Sequence, residues 1–282
     1  MMINKTENKK VLVMILTAVL SVSLFAKTPK NVVALSKSVA ELWTLSGGTI
    51  AAGTDDALEL PGAENAVSIG TLTTASLEAI LSVNPQLVIL TLDIPLHKTL
   101  EENLRALGIK TYIADVKSFS DYENVMSDFT KLTERKDLYK KNVTDVKNQI
   151  EKIKASHAGK TKGTYYFVRA SATKNKTLKK HFGNEIFQDL GLKSIIEDDS
   201  LFDELSIEEL LSKNPDYIFV TFQGNEKKGR ESFKAFYENN PVWSELKAVK
   251  NNKIFFLSKD LFNYKPNARW AEAYNLAADL IK

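Results

Sequence analysis

Arg169 closes an apolar and aromatic run, Tyr165 to Val168, an unusual place for a guanidinium. Buried without a partner it would be costly, whereas a carboxylate or catecholate oxygen could meet it in bidentate fashion. An acid from the same half of the chain is the competing partner. Ser171 follows in the same loop, Gln223 comes after a second apolar run, and Tyr264, Arg269 and Trp270 come after a third. In the first half of the chain Lys37, Ser38, Asp55 and His97 occupy the corresponding places. Cations and aromatic rings gathered in loops suit the capture of a bulky, partly aromatic molecule that carries negative charge. Each also has a plainer reading: Lys37 as a solvated lysine, Tyr264 and Trp270 as core aromatics, His97 as an exposed loop residue.

Bond-breaking chemistry finds little support. The chain has no cysteine, which excludes disulfides, thiolate metal sites, iron–sulfur clusters and cysteine nucleophiles. It has no G-x-S-x-G elbow, no Walker A loop and no His-Glu metal helix, so no catalytic residue is expected. His97, His157 and His181 fall in separate segments, so no site for a bare metal ion is expected either. His97 alone sits where it could ligate haem iron. His181, close to the lysines of 174–180, is expected on a solvated loop, and that basic run could steer an anionic ligand.

The elements that position these loops are announced by a repeat. Ser76 to Thr91 reads SLEAILSVNPQLVILT and Ser206 to Thr221 reads SIEELLSKNPDYIFVT, with seven of sixteen positions identical. In each copy a serine caps a helix with one apolar face, Asn-Pro stops it, and a short apolar run follows as a covered strand. Two copies this far apart imply two similar lobes, not a solenoid. Strands are expected at 32–35, 49–53, 111–114, 164–168 and 253–257, and helices at 38–45, 98–107, 185–190, 231–237 and 268–281. That alternation predicts parallel pairing in three-layer lobes. Between the lobes, apolar residues from Phe119 to Ile153 recur at three- and four-residue intervals without proline or glycine, predicting one long helix, bent near Arg135, as a strut. In open parallel sheets the loops beyond the strand carboxyl ends form the binding crevice, so the residues named above should face one cleft.

Lys9 and Lys10 precede an uncharged run from Val11 to Ala26, shorter than the roughly 20 residues of a membrane-spanning helix. Residues 1–26 are therefore expected to be a signal peptide, with the mature chain exported and periplasmic or attached to the membrane surface. Leu24-Phe25-Ala26 resembles the segment before the lipid-bearing cysteine of bacterial lipoproteins, but Lys27 stands in the cysteine's place. Residues 1–26 carry three lysines and one glutamate. Without them 35 basic residues face 34 acidic ones, a net of +1, which gives no reason to expect nucleic acid as a partner.

The repeat units, the strut and the C-terminal stretch from Pro241-Val242-Trp243 through Lys253-Ile254-Phe255 to Pro266-Asn267-Ala268-Arg269 together resemble a family. It is the helix-bridged solute-binding (periplasmic binding protein) family of bacterial ABC importers, which serves iron siderophores, haem and cobalamin. The resemblance implies an α/β fold of two Rossmann-like three-layer lobes with mostly parallel sheets bridged by one long α-helix. It divides the chain into an N-terminal lobe at 27–117, a bridge at 118–158 and a C-terminal lobe at 159–282. It implies an iron complex, siderophore or haem, as cargo, no intrinsic cofactor, and a monomer that docks on an ABC permease dimer with its ATPase. Cobalamin binding and a chelatase-like enzyme are the alternatives. Glu78 and Glu208, at equivalent first-turn positions, would be the acids that meet permease arginines; their plainer role is to complement a helix dipole. Gln86 stands where the family usually has aspartate, which should weaken a loop-capping contact.

Overall fold

Strands separated by helices cannot form tight hairpins, so they pair in parallel, and the first half of the chain does this throughout. The computed structural model describes residues 28–196 and 204–281; the expected signal peptide and Lys27 lie outside the described residues. Strands β1 (Val32–Ala34), β2 (Ile50–Gly53), β3 (Val67–Ser68), β4 (Leu87–Leu90) and β5 (Thr111–Ile113) form one sheet in the order β3-β2-β1-β4-β5. Helices α1 (Lys37–Leu45), α2 (Leu77–Ser82) and α3 (Pro95–Ala106) connect them. Period-two alternation sorts the strand side chains onto two faces. Val33, Ala52, Val88 and Leu90 pack under α2 and α3. Val32, Ala34, Leu87 and Ile89 pack on the opposite face with α1.

The stretch expected as a single bent helix is a helical hairpin. Helix α4 (Phe119–Leu132) ends at Thr133, Glu134 takes a left-handed φ of 59°, and the chain reverses. It returns through α5 (Lys136–Tyr139), a wider π-type turn at Lys140–Thr144 and α6 (Asp145–His157), helical without interruption. Tyr122 donates to the Asn142 carbonyl at 2.8 Å and Lys147 pairs with Glu123 at 2.9 Å, which fixes the two arms antiparallel. Regular apolar spacing reads the same whether a helix continues or folds back; the left-handed residue that turns it is a glutamate, which carries no such signal. The returning arm is the bridge. Asn142 donates to the last carbonyl of α1, Leu45, at 2.8 Å, and Lys154 at the other end pairs with Asp189 of the second half at 3.0 Å.

In the second half, β6 (Thr164–Ala170), β7 (Asn175–Thr177), β8 (Lys193–Ser194), β9 (Tyr217–Phe222) and β10 (Ile254–Phe256) form a sheet in the order β10-β9-β6-β7, with β8 beside the start of β6. Pairing is parallel except for the β6–β7 hairpin. Helices α7 (Phe182–Asp189), α8 (Ile207–Lys213), α9 (Glu226–Phe233), α10 (Lys247–Lys250), α11 (Lys259–Phe262) and α12 (Trp270–Leu280) complete it. The repeat units are α2–β4 and α8–β9. Ser76 accepts from the Ala79 amide and Ser206 from the Glu209 amide, and Asn84 and Asn214 both turn the chain with φ near +45°, at 49° and 42°. Asp216 accepts the Thr164 amide at 2.8 Å, and Gln86 in the equivalent place accepts the Lys30 amide at 2.7 Å. Glutamine thus keeps the loop contact that its departure from aspartate was expected to weaken.

Each lobe has a private outer core, but the inner helices share one. Tyr165, Phe167, Tyr217 and Phe219 of the second sheet belong to the same buried cluster as Val32, Ala34 and Trp43 of the first, joined through α4, α6, α7 and α12. Trp270 is fully buried in this seam, edge-on to Phe119 at 5.6 Å and to Phe182 at 5.5 Å.

Candidate ligand-binding cleft

Strand order reverses beside the first strand of each lobe: β1 has β2 on one side and β4 on the other, and β6 has β7 and β8 on one side and β9 on the other. Loops diverge at such switch points and leave a crevice beyond the strand carboxyl ends. A cleft of about 520 Å³ opens where the two switch points face each other. Ser36 and Ser38 after β1, and Thr91 and Asp93 after β4, line it from the first lobe; Arg169 at the end of β6 and Gln223 after β9 line it from the second.

Its charge is one-sided. Lys117, Arg169, Lys176, Lys179, Lys180 and Lys265 line it against two acids, Asp56 and Asp93. Both acids are engaged. Asp56 accepts the Lys37 amide at 3.0 Å and the Thr54 hydroxyl at 2.6 Å, bracing the first turn of α1. Asp93 pairs with Lys265 at 3.2 Å. Arg169 makes no ion pair with any described residue; burial pushes its guanidinium below the ordinary range, and Asp93 is the acid whose charge opposes that. Tyr264 also lines the cleft, with Lys37 and Lys259 at 5.9 and 5.2 Å from its ring centre.

His181, expected on a solvated loop, instead lines the cleft as the N-cap of α7. Its ring packs on Phe182 at 4.2 Å and Phe167 at 5.3 Å. Burial, then the charges of Lys265 and Arg169, hold its pKa well below the usual 6.5, so the ring is neutral. Nδ1 accepts the Gly183 amide at 3.1 Å, which leaves the ring proton on Nε2. His181 is therefore a hydrogen-bond donor, not a lone pair for a metal. The lysines beside it are not plain surface either: they belong to β7 and the turn that follows, laid against the end of β6. An antiparallel strand of Asn, Lys and Thr has no hydrophobic alternation to announce it.

Of the residues expected to bind, Ser38, Arg169, Gln223 and Tyr264 line this cleft and six others do not. Lys37 is committed to Glu59 at 2.8 Å and does not line the cleft. Asp55 accepts the Ser68 hydroxyl at 2.5 Å and braces β3, leaving the cleft to its neighbour Asp56. His97 is fully buried behind the wall; its Nδ1–H donates to the Thr91 carbonyl at 3.1 Å, and burial lowers its pKa. Its loop follows β4, where it could have met ligand iron or stood exposed, but Pro95 starts a helix there and turns the ring inward, so neither reading holds. Ser171 donates to the Lys174 carbonyl and shapes the hairpin turn. Arg269 points outward and donates to the Asp260 carbonyl at 3.1 Å. Trp270 is core. Among the described residues no three His, Asp or Glu side chains gather as a metal site.

Glu78 and Glu208 stand on α2 and α8, exposed, with no ion pair to any described residue. Capping of α8 falls to Glu209, whose carboxylate accepts the Ser206 amide at 2.9 Å, so Glu208 is free of that duty.

A family model described as "Periplasmic binding protein" matches residues 32–261. The chain belongs to this family. Among curated relatives, the Fe(3+)-citrate-binding protein YfmC of Bacillus subtilis is 28% identical over 201 residues, 68% of this chain and 60% of that protein. The chain thus spans less than two thirds of that relative's length. Among solved structures, an ABC transporter substrate-binding protein from Listeria monocytogenes has a TM-score of 0.75 at 21% identity, covering 90% of this chain and 99% of that one. IsdE of S. aureus, complexed with heme, has a TM-score of 0.78 at 19% identity, covering 89% and 98%. At these identities the structural likeness speaks for the fold, two α/β lobes with mostly parallel sheets. In this binding protein no helix among the described residues is long and apolar enough to cross a membrane.

Proposed function

We propose that the protein is the extracytoplasmic solute-binding component of an ABC importer, and that it captures an anionic ferric chelate and delivers it to a permease dimer with its ATPase. The observation that carries this reading is the charge of the cleft: six cations line it against two acids, and Arg169 makes no ion pair with any acid among the described residues. Carboxylate or catecholate oxygens would meet Arg169 in bidentate fashion, His181 would donate from Nε2, and Tyr264 would offer its ring face. A cleft of about 520 Å³ fits a chelate of modest size. The iron arrives already coordinated, since His97, the histidine that could have ligated haem iron, lies behind the wall. Haem and cobalamin are the second choices for that reason and because cobalamin lacks the charge. The protein is a binder without turnover and acts as a monomer, with Glu78 and Glu208 as its two equivalent contacts to the permease.

The test is thermal melting of residues 28–282 with ferric citrate, haemin and cobalamin. A ligand at a hundred times its dissociation constant stabilises by about 2.7 kcal/mol. Ferric citrate should raise the melting temperature by several degrees, and Arg169→Ala should abolish the rise. Stabilisation by cobalamin alone would overturn the reading.

A further inference from the structure

Asp93 and Lys265 join the lobes across the cleft. Asp93 follows β4 in the first lobe and Lys265 precedes α12 in the second, 172 positions apart, with 3.2 Å between carboxylate and ammonium. Lys265 is mostly covered, at 18% side-chain exposure, and sits over the Phe182 ring at 5.9 Å; Asp93 is 45% exposed. The same carboxylate is the acidic charge felt by Arg169 and is among those felt by Lys117. Lys117 is already paired with Asp115, so Asp93 serves Lys265 by direct contact and Arg169 through its charge. Its own backbone amide is tethered to the Thr91 hydroxyl at 3.3 Å, so the loop stays in place while the side chain has solvent to turn into.

We propose that Asp93 is a specificity-determining internal competitor: its carboxylate holds the anion position at Lys265, in a cleft that Arg169 also lines, that an incoming chelate must take. The inference rests on reading the cleft as an anion site. A ligand gains entry only by offering those cations more negative charge than one carboxylate does. Polyanionic complexes displace Asp93 into solvent and release Lys265 for themselves, while neutral ones leave the pair closed and bind weakly. The competitor also relieves repulsion among cations held on a rigid frame, which explains why an acid stands in a site otherwise built for anions.

Isothermal titration with ferric citrate and with iron-free citrate tests this on wild type, Asp93→Asn and Lys265→Met. Removing the competing charge should tighten both ligands about tenfold, the effect of roughly one partly screened charge at close range. Lys265→Met should weaken them. The opposite signs matter, because a pair that served only to latch the lobes would be broken equally by either substitution and both would shift affinity the same way. Asp93→Asn that leaves affinity unchanged while the wild type binds overturns the inference alone, and Asp93→Asn that weakens binding makes Asp93 a ligand contact and overturns it too. Binding seen only in Asp93→Asn supports it in its strongest form. No binding by any of the three proteins overturns the anion-cleft reading and this inference with it.

Discussion

Replacing Trp270 by alanine should test whether the two lobes are welded through one core. The indole is fully buried, edge-on to Phe119 and Phe182 at 5.6 and 5.5 Å. Phe119 opens α4, and its amide donates to Glu185 of α7 at 2.7 Å, so the ring is wedged where helices of both halves meet. Truncating a buried tryptophan costs about 3–5 kcal/mol, with each edge-to-face pair contributing about 0.5–1.5 kcal/mol beyond its buried area. Against a total stability of about 5–15 kcal/mol that is a large fraction. Trp270→Phe should cost less than half as much, since it keeps a ring in the wedge and removes an indole N–H that finds no acceptor among the described residues. Urea unfolding followed by far-ultraviolet circular dichroism measures both, with one transition expected in the wild type. A cost below about 1 kcal/mol for Trp270→Ala, or two separate wild-type transitions, would refute the shared core.

Two further outcomes follow from charged residues. Glu78→Ala with Glu208→Ala should leave ligand affinity intact and abolish uptake in cells; undiminished uptake would remove the docking role. Burial, opposed by the Asn267 amide at 2.7 Å and by the charges of Arg269 and Lys37, raises the pKa of Glu41 above its usual 4.5. The folded state therefore binds more protons than the unfolded one between those two values, and the contribution of Glu41 to stability falls as pH rises through that window. Glu41→Gln, which keeps an acceptor for Asn267, should match wild type in melting temperature at pH 4 and exceed it at pH 7; a lower value at pH 7 would contradict this.

Periodicity made the lobes legible: a capped helix, Asn-Pro and an apolar strand appear twice, and both copies fold as the same α–β unit, with its strand one in from the edge of a sheet. It failed where the pattern is silent. The reversal at Thr133 to Arg135 interrupts no apolar stripe, and β7 is too polar and short to stand out. Placement of the cleft loops followed from strand ends, which is why Ser38, Arg169, Gln223 and Tyr264 come together. Which residue of each loop turns inward depends on one-residue differences: Asp56 in place of Asp55, or Pro95 starting a helix that buries His97. His181 was missed because its neighbours in sequence are lysines, while its neighbours in space are Phe167 and Phe182.

The shared core and the cation-rich cleft are two sides of one design. More cations than acids line the cleft of about 520 Å³, and lobes joined only by a flexible hinge would relax their repulsion by opening. Here the inner helix layer runs unbroken from α1 through α4 and α6 to α7 and α12, so repulsion meets a packed core that resists it. The cleft can then stay largely formed, and a ligand's binding free energy is not consumed in closing it. Such a frame should restrict motion to a modest rocking of the lobes, and the charge balance is left to Asp93 and to whatever anion displaces it.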